Sequence, residues 1–277
     1  IIGRYYAPKP TCLIVVCAHY DSGTATPLTQ PEVAARMRWI HRMILAAMAI
    51  VLATCAVEGW AQWNGRDATS VVWIRWGILM VLGAAAAAHF YAAVRGGEVR
   101  GANCNASGVA ALLRLAELIQ DPPTEHADIW LAATGAQERW MAGMRQIVGA
   151  VSPHRSYVHF INLEGVGAGR PIFTTSEGML FPLECGKELI SAATAEAAPY
   201  GFTAAPLRAT NSSAHIPLSR NLSAISIMGL DEKGIPPHWR WFTDSLGAVD
   251  ESAVERAAEF AAAIIHHLDR PAIPQEK

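Results

Sequence analysis

Two long apolar stretches constrain the fold more than any other feature of this sequence. Residues 43–57 carry no formal charge, and residues 76–94 carry none apart from the titratable His89. Extended outward to about 40–60 and 74–94, each stretch has the roughly 20 residues needed to cross ~30 Å of hydrocarbon. The pattern predicts a hairpin of two transmembrane helices. The alternative interpretation is a pair of helices buried in a protein core.

Tryptophan positions favour the membrane interpretation. Four tryptophans gather at one end of both stretches and another lies at the opposite end, as aromatic residues do at the two interfaces of a bilayer. They are Trp60, Trp63, Trp73 and Trp76 at the first end, and Trp39 at the other. The chain is also 52% hydrophobic and only 17% charged, which is more apolar than a soluble enzyme requires. We therefore expect contact with membrane lipid.

Flanking arginines predict the orientation of the hairpin. Those on the side of the chain ends are Arg36, Arg38, Arg42, Arg95 and Arg100, whereas Arg66 and Arg75 lie on the turn side with Glu58 and Asp67. Cytoplasmic flanks carry the excess of Lys and Arg, so both chain ends are predicted to be cytoplasmic. We expect an integral protein of an inner or plasma membrane. With 22 Lys+Arg against 24 Asp+Glu, bulk charge excludes a nucleic-acid partner.

The remaining sequence, residues 1–30 and 101–277, alternates strand-like and helical patterns. Strands are predicted at 12–18, 129–134, 157–163 and 223–228, and helices at 107–120 and 252–269. Such alternation predicts an α/β sheet covered by helices. Ligand chemistry in this architecture collects where parallel strands end.

Polar residues follow three of these predicted strands. His19 and Asp21 come after the first strand, Gln137 and Glu138 after the second, and Glu164 after the third. Imidazoles and carboxylates converging at one sheet edge are zinc-ligand types, and an Asp near a His is suited to orient its ring.

Six segments carry further motifs in a defined order. They are VVCAHYDS (15–22), GANCNASGVAALLRLAELI (101–119), ATGAQERWMAGM (133–144), INLEGVGAGRP (161–171), SSAHIPLSRNLSAISI (212–227) and PPHWRWFTDSLGAVD (236–250). This order resembles that of the di-zinc aminopeptidases related to bacterial leucyl aminopeptidase and glutaminyl cyclase. The resemblance implies a phosphorylase/hydrolase-like three-layer sandwich with a mostly parallel central sheet. The hairpin, at about 31–100, would then be an insertion into one discontinuous domain.

Several matched positions keep the chemistry that the resemblance implies. His19 corresponds to a zinc ligand, Asp21 to the residue that orients its ring, and Glu138 to a ligand of the other zinc. His215 corresponds to a pocket histidine that is not usually a ligand.

Four other matched positions depart from the pattern. Glu164 stands where an aspartate shares the zinc held by His19, and it keeps the carboxylate but adds a methylene. Cys104 stands where an aspartate bridges both metals, and a thiolate is softer and offers a single atom. Gln137 replaces the general-base glutamate, and an amide cannot accept a proton near neutral pH. Arg240 replaces the last zinc histidine, and a guanidinium has no lone pair for a metal. Asp244 lies in the same segment and is assigned to the pocket.

These departures predict a catalytically inactive peptidase-like protein, acting as a scaffold or accessory subunit of a membrane complex with other integral subunits. The cofactor would be none or residual zinc. One alternative is a membrane-anchored zinc aminopeptidase or glutaminyl-cyclase-like enzyme, with one zinc on Cys104, Glu138 and either His215 or His238. Another is a module that binds peptide without cleaving it.

The second apolar stretch has its own functional candidate. Residues 83–88 are all small, which lets a helix or a flat macrocycle approach closely. His89 follows them, one turn after Ala85. An intramembrane histidine is a functional candidate, here as an axial tetrapyrrole ligand in a bioenergetic or pigment-containing complex. The alternatives are a hydrogen bond at the headgroups or to a neighbouring helix.

Overall fold

The structure is a computed structural model that describes residues 1–151 and 158–271. Its strands are β1 (Ile2–Tyr5), β2 (Cys12–His19), β3 (Thr24–Ala25), β4 (Gly97–Glu98), β5 (Ala127–Thr134), β6 (Val158–Leu163), β7 (Arg170–Glu177), β8 (Leu183–Glu184), β9 (Thr203–Leu207) and β10 (Ser223–Leu230). Its helices are α1 (Pro31–Ala34), α2 (Met37–Trp63), α3 (Thr69–Arg95), α4 (Ser107–Leu118), α5 (Ala142–Val151), α6 (Lys187–Tyr200), α7 (His215–Leu218) and α8 (Glu251–Leu268).

One sheet organises the described part of the chain outside the hairpin, with strand order β1-β5-β2-β6-β10-β7-β8 and β9 beside β7. The central strands β5, β2, β6 and β10 run parallel, whereas β1, β7 and β8 pair antiparallel with their neighbours in this order. The predicted α/β fold with a mostly parallel sheet is confirmed. His19 pairs with Thr134 in the register of β2 and β5, so the residues that follow these strands emerge at the same edge.

The core forms around β2 because its sequence is almost continuously apolar, as expected of a strand covered on both faces. Ile14, Val15 and Val16 are fully buried. Helix α4 packs against α8, and α8 also packs against α6, which closes the apolar layer over the sheet. This packing fixes the strand ends that carry the polar residues.

Most predicted elements lie close to the observed ones. The predicted helix 107–120 ends at Leu118, and a five-residue π-helical turn, Ala102–Ala106, precedes it. Tyr157, the first residue of a predicted strand, lies outside the described residues. Strands β7 and β9 and helix α6 were not predicted, because their sequences mix polar residues with apolar ones and include Pro171, Pro199 and Pro206.

Helices α2 and α3 cover the two apolar stretches and pack against each other. Each has 27 residues, which corresponds to about 40 Å at 1.5 Å per residue. Both are long and apolar enough to cross a membrane, and their apolar windows have no share buried inside the protein. The alternative of two buried core helices is therefore wrong. The guanidinium of Arg75 pairs with the carboxylate of Glu58 across the hairpin.

A short antiparallel ribbon closes the base of the hairpin. Strand β3 precedes α2 and strand β4 follows α3, with Thr24 paired to Glu98. The chain therefore leaves the sheet domain and returns to it at the same place, close to the residues that follow β2.

Candidate functional site

Side chains from separate parts of the chain meet at the carboxyl edge of β5, β2 and β6. They surround a cavity of about 20 Å³, which has room for roughly one water molecule. The lining residues are His19, Gly23, Val99, Gly101, Cys104, Gln137, Glu138, Glu164, Asn211, Trp239, Arg240 and Asp244. The structure thus brings most of the residues singled out in the sequence into one cavity, to which His19 at the end of β2 and six connecting segments contribute.

His19 ends strand β2 and lies between two carboxylates. Its Nδ1 lies 3.0 Å from the backbone oxygen of Asp21 and 3.7 Å from the carboxylate of the same residue. Its Nε2 lies 3.8 Å from Oε1 of Glu164. Burial lowers the pKa of His19, but the interactions with Asp21 and Glu164 outweigh burial and the net pKa is raised. The closest contact that orients the ring is thus with the backbone oxygen of Asp21.

The carboxylate of Asp21 joins the ends of two neighbouring strands. Its Oδ2 accepts a hydrogen bond of 3.2 Å from the backbone N–H of Glu138, which follows β5. Partial burial raises the pKa of Asp21, but its interactions with His19 and with the backbone of Gln137 and Glu138 lower the net pKa to about 2. Asp21 is therefore ionised at neutral pH.

Arg240 forms an ion pair inside the site. Its Nη2 lies 2.9 Å from Oε1 of Glu138, and the two side chains are 32% and 29% exposed. The guanidinium also lies 4.9 Å from the ring of Trp239. Burial raises the pKa of Glu138, and the charge of Arg240 opposes this rise. A cation that is permanently charged thus balances the Glu138 carboxylate.

Gly23 has no side chain, and the Arg240–Glu138 ion pair occupies the space where its Cβ would lie. A Cβ at this position would lie 3.0 Å from both Cγ of Arg240 and Oε1 of Glu138. Any larger residue would therefore crowd the Arg240 side chain.

Cys104 lies on the π-helical turn, and Asp244 fixes its backbone. The Asp244 carboxylate accepts hydrogen bonds from the backbone N–H groups of Asn103, at 2.5 Å, and Cys104, at 3.1 Å. Burial and the negative charge of Asp244 raise the pKa of the Cys104 thiol well above its usual value. Cys104 is therefore a protonated thiol at neutral pH.

Gln137 is held by a residue that the sequence analysis did not assign. The hydroxyl of Ser213 donates a hydrogen bond of 2.7 Å to Oε1 of Gln137. The backbone N–H of Ser213 also lies 3.4 Å from Oε2 of Glu164. The only sequence signal was the position of Ser213 inside the segment that contains His215.

A buried polar network behind the site was also missed. Glu177 is fully buried, and its carboxylate accepts hydrogen bonds from Ser212, at 2.5 Å, and Thr174, at 2.8 Å. Ser212 contacts Ser226, and the Asn162 amide links Ser226 to Glu164. Burial raises the pKa of Glu177, and the surrounding hydroxyls only partly offset it. The polar residues at the end of β7 were its only sequence signal.

Three predicted histidines lie outside the cavity. His215 begins α7 and lines a neighbouring pocket, where burial and the charge of Arg145 lower its pKa. His89 lies on α3, where its Nδ1 is 2.8 Å from the backbone oxygen of Ala85. That carbonyl accepts the Nδ1 proton, so Nε2 carries the lone pair of the ring. His238 hydrogen-bonds Thr243 and does not line the cavity.

The residues present do not fit a two-zinc centre. His19 and Glu164 offer two donors, but the Arg240 guanidinium occupies one oxygen of Glu138, and the single sulfur of Cys104 cannot span two metals with the geometry of a two-oxygen carboxylate. A fixed cation beside the donors opposes a divalent ion. Over residues 1–151 and 158–271, no group of three or more His, Cys, Asp or Glu side chains is placed to hold a metal ion.

Solved structures of two aminopeptidases have a fold similar to that of this chain. The chain is similar to the aminopeptidase from Aneurinibacillus sp. strain AM-1, with 14% identity, a TM-score of 0.58 and coverage of 98% of this chain and 48% of that one. A zinc aminopeptidase from Bacillus subtilis gives 14% identity, a TM-score of 0.58 and coverage of 96% and 48%. The chain thus spans about half the length of these aminopeptidases.

The glutaminyl cyclase of Bacteroides thetaiotaomicron, in complex with N-acetylhistamine, is also similar. It gives 18% identity, a TM-score of 0.55 and coverage of 96% of this chain and 76% of that one. A search of curated proteins finds no match. The model of peptidase family M28 matches residues 84–265, which is 182 of the 277 residues. The chain therefore belongs to peptidase family M28.

Proposed function

We propose that this protein is a membrane-anchored member of the family that has lost hydrolysis and serves as a scaffold or accessory subunit of a membrane protein complex. The observation that carries the proposal is the ion pair between Arg240 and Glu138, with 2.9 Å between Nη2 and Oε1. A covalently attached cation balances a carboxylate that would otherwise attract a metal, and it does so permanently.

The other positions support the same conclusion. Gln137 accepts a hydrogen bond from Ser213 and has no proton-accepting equilibrium near neutral pH. General-base catalysis is worth about 10²–10⁴-fold in rate, so its loss alone would leave a very slow enzyme. Cys104 offers one soft sulfur atom where the resemblance implies a carboxylate whose two oxygens bridge the metals, so the metal–metal geometry could not stay the same.

The hairpin supports the membrane part of the proposal. Helices α2 and α3 are long and apolar enough to span a bilayer. We infer that they do so, with the sheet domain on the cytoplasmic side, because the chain-end flanks carry more arginines than the turn does. Other integral membrane subunits are the expected partners, since residues 83–88 offer a surface that a helix can approach closely.

More specifically, we propose that the membrane complex is a bioenergetic or pigment-containing one. Its support is His89, whose Nδ1 is engaged by Ala85 while Nε2 carries the lone pair that an axial ligand needs. Visible absorption of the purified protein that disappears in His89→Phe supports a bound tetrapyrrole. An unchanged spectrum rejects it.

One observation favours a zinc enzyme with an altered metal site as the second candidate. His19 Nε2 and Glu164 Oε1 lie 3.8 Å apart, so two donor types that zinc accepts already face each other. An aminopeptidase or glutaminyl-cyclase-like activity would require the Arg240 side chain to leave Glu138. Peptide binding without cleavage has the same requirement, because a cavity of about 20 Å³ holds no peptide side chain.

The test uses the full chain, extracted from its native membrane in mild detergent. Elemental analysis measures zinc per chain, mass spectrometry identifies co-purifying chains, and leucyl and N-terminal glutaminyl peptides are the substrates assayed. We expect little zinc, constant partner chains and no turnover. One or two zincs per chain, a protein that runs alone and chelator-sensitive turnover would instead establish the enzyme.

A further inference from the structure

The candidate site lies at the base of the hairpin. Strand β4 follows α3 directly, and Val99 and Gly101, just after β4, line the site cavity. The loop that carries Arg240 reaches the same place through Phe242. A Cβ on Gly97 would lie 2.6 Å from Cε1 of Phe242, so the ring of Phe242 covers Gly97.

A second loop contacts the other helix of the hairpin. His41 of α2 lines a pocket of about 240 Å³ together with Met179, Leu180, Phe181, Asn211 and His215. Asn211 also lines the site cavity, and its side-chain oxygen accepts a hydrogen bond of 3.2 Å from the backbone N–H of Met179. The loop after β7 is therefore connected to the site on one side and to α2 on the other.

Both loops present an aromatic ring that the protein itself does not cover. Phe181 is 75% exposed and Phe242 is 62% exposed. One ring lies beside the start of α2 and the other beside the end of α3. Exposed phenylalanines at such positions can bury apolar surface at the boundary between the headgroups and the acyl chains.

The length of the hairpin places these rings at the depth of that boundary. Helices of about 40 Å exceed a hydrocarbon core of ~30 Å by about 10 Å, so the ends of helices that stand close to the bilayer normal lie among the headgroups. His41 is four residues after the start of α2 and Gly97 is two residues after the end of α3. The contacts of Phe181 and Phe242 with the hairpin thus fall within this interfacial part.

We propose that Phe181 and Phe242 insert into the headgroup layer of the membrane that carries the hairpin, so that the candidate site opens onto the membrane surface. The partner of this surface is bilayer lipid. The inference rests on the proposed membrane-spanning hairpin. It implies that any ligand of the site arrives along the membrane surface and not from bulk solvent.

Photo-crosslinking to lipid tests the inference. The full chain is reconstituted in phosphatidylcholine–phosphatidylglycerol nanodiscs, with the photoreactive analogue p-benzoylphenylalanine placed singly at position 181, 242, 52 or 113. Leu52, 71% exposed on α2, is the control for lipid contact, and Leu113, 65% exposed on α4, is the control for solvent. Lipid adducts on each labelled peptide are counted by mass spectrometry.

We expect lipid adducts at positions 52, 181 and 242 at several-fold the yield at position 113. Adducts at 52, with 181 and 242 no higher than 113, would overturn the inference and leave the membrane-spanning hairpin intact. No adducts at 52 would overturn the membrane hairpin and the inference together. Each variant must show the thermal transition of the unsubstituted chain, which is expected because the four side chains are largely exposed.

Discussion

Nη2 of Arg240 lies 2.9 Å from Oε1 of Glu138, at the carboxyl edge of the central sheet. Both side chains are only partly exposed, so water screens their charges less than at an open surface. A metal ion can dissociate and rebind, whereas the guanidinium is covalently attached and always charged. The chain therefore supplies its own cation at the place where the family resemblance puts a metal-ligand histidine.

Replacing Arg240 should restore metal binding. In Arg240→His the fixed charge is gone and an imidazole stands near Glu138, so we expect zinc content to rise from well below one to about one per chain, as for a site with three protein ligands. Elemental analysis after dialysis against zinc measures it. Arg240→Ala is the matched control, which removes the charge but adds no ligand and should gain less zinc. Equal zinc in the unsubstituted chain and Arg240→His would contradict this account.

Adding a general base should raise peptide turnover only in a variant that also binds metal. Gln137→Glu alone should leave turnover of leucyl and glutaminyl peptides at background, because Arg240 still neutralises Glu138. In the Arg240→His background the same change should raise turnover by about 10²–10⁴-fold, the usual worth of a general base. Ser213 can still donate its hydrogen bond to a glutamate, so stability should change little. An active Gln137→Glu single variant would refute the role given to Arg240.

Glu177 should make stability depend on pH. Burial raises its folded pKa above the ordinary 4.5, so the folded state binds this proton more tightly than the unfolded state does. The free energy of unfolding should therefore be highest below about pH 4.5 and fall as pH rises from there to the folded pKa. Glu177→Gln should flatten thermal-transition profiles in this window. Glu232→Gln, at an exposed carboxyl, should keep the slope of the unsubstituted chain.

Truncating the same residue tests its hydrogen bonds separately from its charge. Glu177→Ala leaves the buried hydroxyls of Ser212 and Thr174 without their acceptor, which should cost about 1–3 kcal/mol below about pH 4.5 and less at higher pH, where the variant no longer buries a carboxylate. Denaturant unfolding of the detergent-solubilised chain measures this cost. No loss below about pH 4.5, where Glu177 is protonated in both the folded and the unfolded chain, would show that the network contributes little.

The sequence predicts the sheet, and it predicts which residues come together at the site, because both follow from the order of the strands. Strands β2, β5 and β6 have strong apolar patterns, and parallel neighbours necessarily bring His19, Glu138 and Glu164 to one edge. The partner of each side chain could not be predicted in the same way. Ser213 reaches Gln137 across 76 positions, and Arg240 reaches Glu138 through a long flexible side chain. Such contacts depend on loop conformations that no periodicity encodes.

Cys104 should react slowly with thiol reagents. Burial and the Asp244 charge raise its pKa, so little thiolate forms at neutral pH, and alkylation should be at least about tenfold slower than in the unfolded chain. Asp244→Asn removes the charge and should shift the pH–rate profile of Cys104 to lower pH. Peptide mapping by mass spectrometry follows each cysteine. Alkylation that is slow only until a chelator is added would instead indicate a metal-bound thiolate and contradict the prediction.

Cys185 separates this charge effect from simple loosening of the fold. It is also buried, and burial together with the charge of Glu177 raises its pKa to about 12. Asp244 is not among the groups that shift this pKa, so Asp244→Asn should leave the alkylation rate of Cys185 unchanged if the variant stays folded. Asp244 also binds the backbone N–H groups of Asn103 and Cys104, and its loss could open the π-helical turn. An opened turn exposes the thiol, so it should move the inflection and also raise the limiting rate at high pH, whereas loss of the charge alone moves the inflection and leaves that limiting rate little changed. A shifted inflection with a little-changed limiting rate and an unchanged Cys185 rate is therefore the result expected if the Asp244 carboxylate keeps Cys104 protonated.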